Sequence, residues 1–227
     1  MRILRKIEMK TLSKIVSWIP QLLDGAKITI LLTLAAVLAG LLLGIILAVG
    51  KMSKHKIFRA LASAYTFFFR GTPLLMQLYF VYYGLPAINP ALTINNQFLA
   101  AFIAFGLNSA AYCCEIIRGG IESIDKGQFE ASKVLGMNYF QTMTLVILPQ
   151  SIKRLIPPVG NEFIMMLKDA SLVSLIALAD ITKVTRSIQS STASSLVYIP
   201  AMILYLIITA VFTLIFRLLE KKYSVYD

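Results

Sequence analysis

The sequence predicts an all-α integral membrane protein: five transmembrane helices preceded by an amphipathic N-terminal helix. Three observations carry this. First, 58% of the 227 residues are hydrophobic and only 15% charged, whereas soluble domains carry about 25% charged residues. Second, apolar stretches close to the ~20 residues that cross a bilayer recur along the chain. Third, the net charge of +11, from 22 Lys+Arg against 11 Asp+Glu, gathers in short segments between those stretches. That is the pattern of cytoplasmic loops lying against anionic headgroups. Basic residues in short loops, with no reader motif, exclude a nucleic-acid partner.

Residues 1–24 interleave Arg2, Arg5, Lys6, Lys10 and Lys14 with Ile3, Leu4, Ile7, Leu12, Ile15 and Trp18. The spacing predicts an amphipathic helix in the membrane interface, with Trp18 at headgroup depth. Pro20 and Gly25 separate it from residues 25–227, the transmembrane domain. The first span runs over Lys27 to Val49, where Gly40 and Gly44 make a small-residue step that permits close helix contact. Lys51, Lys54, His55, Lys56 and Arg59 form a cytoplasmic loop.

The second span, Ile57 to Gly84, holds Arg70-Gly71-Thr72-Pro73 near its middle. Pro73 removes a backbone donor and breaks the helix. Arg70 at that depth needs a partner or a watered cavity. Residues 85–97 are uncharged and read as an external loop. The third span, Phe98 to Ile117, puts Asn108, Tyr112 and Glu115 on one face by their i, i+4, i+7 spacing. The fourth, Ile156 to Leu178, carries Asn161, Glu162 and Asp169. Residues 180–195, rich in Ser and Thr, read as an external loop before the fifth span, Leu196 to Leu218. This places the N-terminus outside and the C-terminus in the cytoplasm. The basic N-terminal segment opposes that orientation under the positive-inside rule.

Cys113 and Cys114 are adjacent inside an apolar run and read as packing residues. No His, Cys, Asp or Glu cluster has metal-ligand spacing. The single histidine, His55, lies in a loop, which leaves no Ser/His/Asp set for catalysis. The sequence lacks a GxxxxGK[ST] loop, so it binds no nucleotide of its own through that motif.

One polar segment between the spans still looks folded: Glu130 to Pro149, EASKVLGMNYFQTMTLVILP. Glu130, Lys133, Asn138 and Gln141 alternate with Val134, Leu135, Met137, Phe140 and Leu145, an amphipathic helical pattern. Gly136 predicts a bend, and Leu148-Pro149 a stop. A helix, a bend and a second helix held between two spans suit a grip for another protein. A secondary transporter or channel gives this segment no purpose.

The segment resembles the "EAA" loop of membrane subunits of ABC importers. Glu130, Ala131, Gly136, Leu148 and Pro149 fall in register, while Ser132 replaces an alanine and Val146 an isoleucine. FRGTPLLMQLYFVYYGLP (Phe69 to Pro86), the AAYCCEIIRGGI run around Glu115 and GNEFIMMLKDASL (Gly160 to Leu172) resemble the permease of polar amino acid importers, the histidine/arginine/glutamine type. The resemblance implies the type I ABC importer membrane-subunit architecture. It implies a transmembrane permease domain over 25–227, with a cytoplasmic coupling loop over 125–152, in a bacterial or archaeal cell (inner) membrane.

The implied partners are a second copy of this chain or a close paralogue, two cytoplasmic ABC ATPase subunits, and an extracytoplasmic amino-acid-binding protein. ATP and Mg belong to the ATPase, and this chain binds no cofactor. The expected function is import of a cationic amino acid (arginine, lysine or histidine) or, as the alternative, of a neutral or acidic one such as glutamine or glutamate. Glu130, Ala131, Gly136, Leu148 and Pro149 carry the ATPase coupling. For a zwitterion held mid-membrane, Arg70, Thr72 and the first amides of the second half-helix suit its carboxylate. Glu162 first, then Asn108, Asn161, Glu115 and Asp169, suit its ammonium and a charged side chain. Arg70 alternatively pairs with Glu115 or Asp169 to neutralise both.

Overall fold

The computed structural model describes residues 2–223, with side chains from Ser13 onward. The basic and apolar side chains expected to alternate between Arg2 and Leu12 lie outside the described side chains. In chain order the helices are α1 (Arg2–Lys51), α2 (Lys56–Gly71), α3 (Leu74–Tyr79), α4 (Leu85–Ile88) and α5 (Gln97–Glu122). They continue with α6 (Lys126–Val134), α7 (Tyr139–Gln141), α8 (Leu148–Asp169), α9 (Ile181–Thr192) and α10 (Tyr198–Tyr223). Three helical stretches among the described residues are long and apolar enough to cross a membrane: Ser13–Lys51, Gln97–Glu122 and Ser195–Tyr223. The expected second span is split between α2 and α3, and the expected fourth lies in the polar α8.

Several expectations about where helices start and stop need correction. α1 runs unbroken through Pro20 and Gly25. Here packing outweighs propensity: a Cβ on Gly25 would lie 2.9 Å from the backbone of Asp180, so the glycine admits a second chain instead of ending a helix. Trp18 is buried with Leu22, Ile181, Ile188 and Val197. Leu148-Pro149 does not stop the chain either. A π-helical turn, Thr142–Ile147, precedes the proline, and the Leu148 amide donates to the carbonyl of Met143, five residues back. The wider turn accommodates the missing N–H, so α7 and α8 form one continuous helical rod.

The Ser/Thr-rich stretch expected as a loop is α9. Asp180 caps it, accepting from the amides of Thr182 (2.9 Å) and Lys183 (2.8 Å). Ile181, Thr185 and Ile188 form its buried stripe. The expected loop 85–97 likewise holds α4 and a short 3-10 turn, Pro90–Leu92. The fourth expected helix ends at Asp169 rather than Leu178, continuing as a 3-10 turn over Ala170–Ile176.

The principal seam is α1 against α5. A Cβ on Gly40 would sit 2.7 Å from Ser109 Cβ and Oγ, and one on Gly44 2.7 Å from Cys113 Cβ. The glycine step thus serves contact within the chain. Two clusters mark the ends of the bundle. One gathers Trp18, Leu22, Ile181 and Ile188, and the other Ala48, Ile121, Ile124 and Ile147. Leu22 and Ala48 lie about 39 Å apart along one helix at 1.5 Å per residue. The 130–149 segment is attached at the second end, with α9 at the first.

Candidate functional site

The break between α2 and α3 is where the sequence places it. Thr72 and Pro73 are both extended (φ −114°, ψ 146° and φ −64°, ψ 134°). Pro73 has no N–H for the carbonyl four residues back, and interrupted helices leave further carbonyls without partners. Side chains supply the donors. Thr72 Oγ1 donates to Phe68 O at 2.8 Å. Phe69 O accepts from Gln77 Nε2 (2.9 Å) and Asn108 Nδ2 (3.0 Å). Thr72 O and Oγ1 accept from Gln77 Nε2 at 3.1 and 2.8 Å. Asn108 Nδ2 also donates to Gln77 Oε1 at 3.0 Å, closing the network.

Beside this break lies a cavity of about 350 Å³. Thr72, Asn108, Glu162 and Asp169 of the expected set line it, joined by Tyr112 and Met165 among others. Leu74 and Leu75, which head α3, belong to the same wall. Glu162 is 6% exposed and accepts from Ser109 Oγ at 2.8 Å. Ser109 is held against Gly40 of α1, so the close α1–α5 contact aims the donor at the carboxylate. Among the described residues no ion pair reaches Glu162 or Asp169. A carboxylate at membrane depth without a cationic partner is costly, and such residues mark substrate or ion pathways.

The other expected residues stand apart. Glu115 is held by Lys51, by Arg118 (Nη2 at 2.8 Å, Nε at 3.1 Å) and, more distantly, by Arg70 at 4.0 Å. Lys51 also donates to Thr66 Oγ1 at 3.0 Å, so this cluster ties α1, α2 and α5 together. Arg70 lies over the Tyr112 ring at 5.4 Å but is not among the residues that line the cavity. Asn161 is exposed on α8, outside the cavity lining. Sequence reasoning missed Gln77 and Ser109. Gln77 is the one amide in an otherwise apolar half-helix, four residues beyond the proline, which is the available signal.

At the far end of the bundle α6 closes in a Schellman turn. Gly136 takes φ +77°, the Met137 amide donates to Ser132 O at 3.0 Å, and the Gly136 amide to Lys133 O at 3.0 Å. Asn138 and Gln141 then form a capping box with both bonds at 2.9 Å. Ser132, a departure from the motif, faces inward, where a small residue fits, and its hydroxyl donates to Gln128 O at 2.7 Å. Glu130, Ala131, Leu148 and Pro149 are exposed. Tyr139 and Phe140 are each 74% exposed, beside exposed Val134, Leu135 and Leu145. These side chains form a concentrated exposed apolar surface on a folded hairpin.

Residues 40–225 match the family of binding-protein-dependent transport system inner membrane components. The chain belongs to that family. It is 39% identical over 212 residues to the arginine transport system permease protein ArtQ of Bacillus subtilis (strain 168), covering 92% of this chain and 95% of that one. It is 38% identical over 203 residues to the putative glutamine transport system permease protein GlnP of Rickettsia bellii (strain RML369-C), covering 88% and 92%. A solved structure described as "Crystal structure of an amino acid ABC transporter with histidines" superposes with a TM-score of 0.86 at 40% identity, covering 92% of this chain and 97% of that one. The fold is that of a type I ABC importer membrane subunit.

Proposed function

We propose that this chain is the membrane-spanning subunit of an ATP-driven importer of cationic amino acids: arginine, lysine or histidine. The observation that carries the substrate class is Glu162, buried at the cavity wall with a hydrogen-bond donor and no cationic partner among the described residues. A cationic amino acid such as arginine or lysine presents two positive groups and one negative group. The cavity offers Glu162 and Asp169 for the first two. The leading amides of α3 suit the carboxylate, since the start of a broken transporter helix carries positive charge. Unit charges 4 Å apart attract by about 4 kcal/mol at an effective dielectric of 20, so one carboxylate suffices to sort cations from neutral amino acids. The similarity to the arginine permease and to the transporter described with histidines supports the same reading. The similarity to the putative glutamine permease favours the second reading, a neutral or acidic polar amino acid.

ATP hydrolysis belongs to a partner subunit, with ATP and Mg bound there. The Gly136 hairpin docks that ATPase through Glu130, Ala131 and the exposed apolar patch, with Leu148 and Pro149 at its base. Two ATPase subunits, a second copy of this chain or a close paralogue, and an extracytoplasmic binding protein complete the assembly. The hairpin lies at the cytoplasmic face of a bacterial or archaeal inner membrane. The position of Trp18 and α9 at the opposite end of the bundle from the hairpin supports an outward start of α1 and a cytoplasmic end of α10. Alternating access then needs only states that differ in affinity for the amino acid.

The test is ATPase stimulation of the reconstituted complex with its binding protein across a panel of amino acids. Stimulation confined to arginine, lysine or histidine supports the proposal. Stimulation by glutamine or glutamate instead leaves an importer but rejects Glu162 as a reader of positive charge.

A further inference from the structure

We propose that Gln77 is a positioning residue for transport: its carboxamide, braced by Asn108, clamps the α2–α3 break open in the shape that forms the cavity wall. This rests on reading the cavity as the amino acid site. Pro73 strips the Phe69 carbonyl of its helical donor, and that oxygen is the one Gln77 and Asn108 both reach, at 2.9 and 3.0 Å. The same Gln77 nitrogen holds Thr72 O and Oγ1 from the other side of the break. Its two protons therefore reach back from α3 to three acceptors on the α2 side of Pro73. At 7% exposure Gln77 has little water to take over these bonds.

Membrane helices tolerate such a break only where protein or a cavity satisfies the freed groups. A carbonyl shielded from water and left without a donor costs about 1–3 kcal/mol, and Gln77 is the side-chain donor to Thr72 O while it shares Phe69 O with Asn108. Without it, the cheapest remedy is movement of the Thr72–Pro73 linker. That movement shifts Thr72, Leu74 and Leu75 together, and all three line the cavity. Gln77 does not line it. Its effect on substrate therefore passes through the break.

Gln77→Glu keeps the size of the side chain and removes its donors. The measurement is calorimetric binding of L-arginine, L-histidine and L-glutamine to the complex of this chain with its ATPase, without binding protein. Basal ATPase activity and thermal melting are followed in parallel. The expected result is at least tenfold weaker binding of the amino acid that the unmodified complex takes, with basal ATPase and melting retained. Unchanged affinity overturns the proposal. Glu162→Gln run alongside separates the two claims. If it weakens binding and Gln77→Glu does not, only the clamp fails. If neither changes affinity, or no amino acid binds, the cavity reading fails and the clamp with it.

Where Gln77→Glu does not assemble, Gln77→Leu combined with Pro73→Ala is the decisive variant, because alanine restores an N–H for Phe69 O in a continuous helix. Assembly recovered with amino acid binding lost supports the clamp. Assembly recovered with normal binding, or not recovered at all, overturns it.

Discussion

The chain interrupts its helices in two places that use the same device to opposite ends. At Thr72–Pro73 the interruption is walled in: its freed carbonyls are taken by Thr72, Gln77 and Asn108, and buried acid faces the space it opens. At Gly136 the interruption is turned out: backbone caps itself, and Val134, Leu135, Tyr139 and Phe140 are left to solvent. The first has its polar groups satisfied by neighbouring side chains and opens onto one carboxylate-lined cavity. The second keeps polar groups satisfied and apolar surface bare. The contrast matches the two proposed roles, a site for a small polar ion in one case and a docking surface for another protein in the other.

The comparison breaks most visibly if the outward region proves dispensable. Tyr139→Ala with Phe140→Ala should reduce copurification of the ATPase at least tenfold, because truncating a hot-spot residue at an interface, a class enriched in tyrosine, costs about 2 kcal/mol or more. Their exposure predicts that melting of the isolated chain barely moves. Unaltered copurification would show that the patch meets lipid or nothing at all. Gly40→Ala probes the inward region from behind. Its Cβ would meet Ser109 at 2.7 Å, and overpacking of this kind costs about 1–3 kcal/mol. The expected outcome is a lower melting temperature together with weaker amino acid binding, since Ser109 is the donor to Glu162.

A smaller effect should follow from Gly136→Val. A β-branched residue at φ +77° is disfavoured by about 1–2 kcal/mol. Crosslinking yield between the hairpin and the ATPase should fall while amino acid binding holds. Asn138→Ala removes one half of the capping box and should cost about 1 kcal/mol, seen as faster hydrogen exchange at Gln141 alone. If either hairpin variant changed amino acid affinity in the uncoupled chain, the separation of the two regions would be wrong.

Much of this was legible in the sequence. Arg70-Gly71-Thr72-Pro73 announces a break because proline lacks a donor. Glu162 stands out because an acid inside a stretch long enough to be read as a span must be answered. Gly136 sits where only a left-handed turn serves. The misreadings share one cause, local signals outweighed by contacts from distant chain. Gly25 looked like a terminator and is a close-packing site for Asp180. Pro149 looked like a stop and is absorbed by the π turn before it. The 180–195 stretch looked like a loop because Ser and Thr dominate it, although the Asp180 cap and the Ile181, Val184, Ile188 spacing were present. Gln77 left little local trace, since its partners lie up to 31 residues away.

The most direct test compares L-arginine with L-citrulline, its neutral near-isostere, as ligands of the unmodified complex and of Glu162→Gln. The account predicts that arginine binds at least tenfold more tightly than citrulline to the unmodified complex. It predicts that the ratio collapses toward one in the variant, with ATPase association intact. An equal preference in both proteins would contradict the claim that Glu162 reads positive charge.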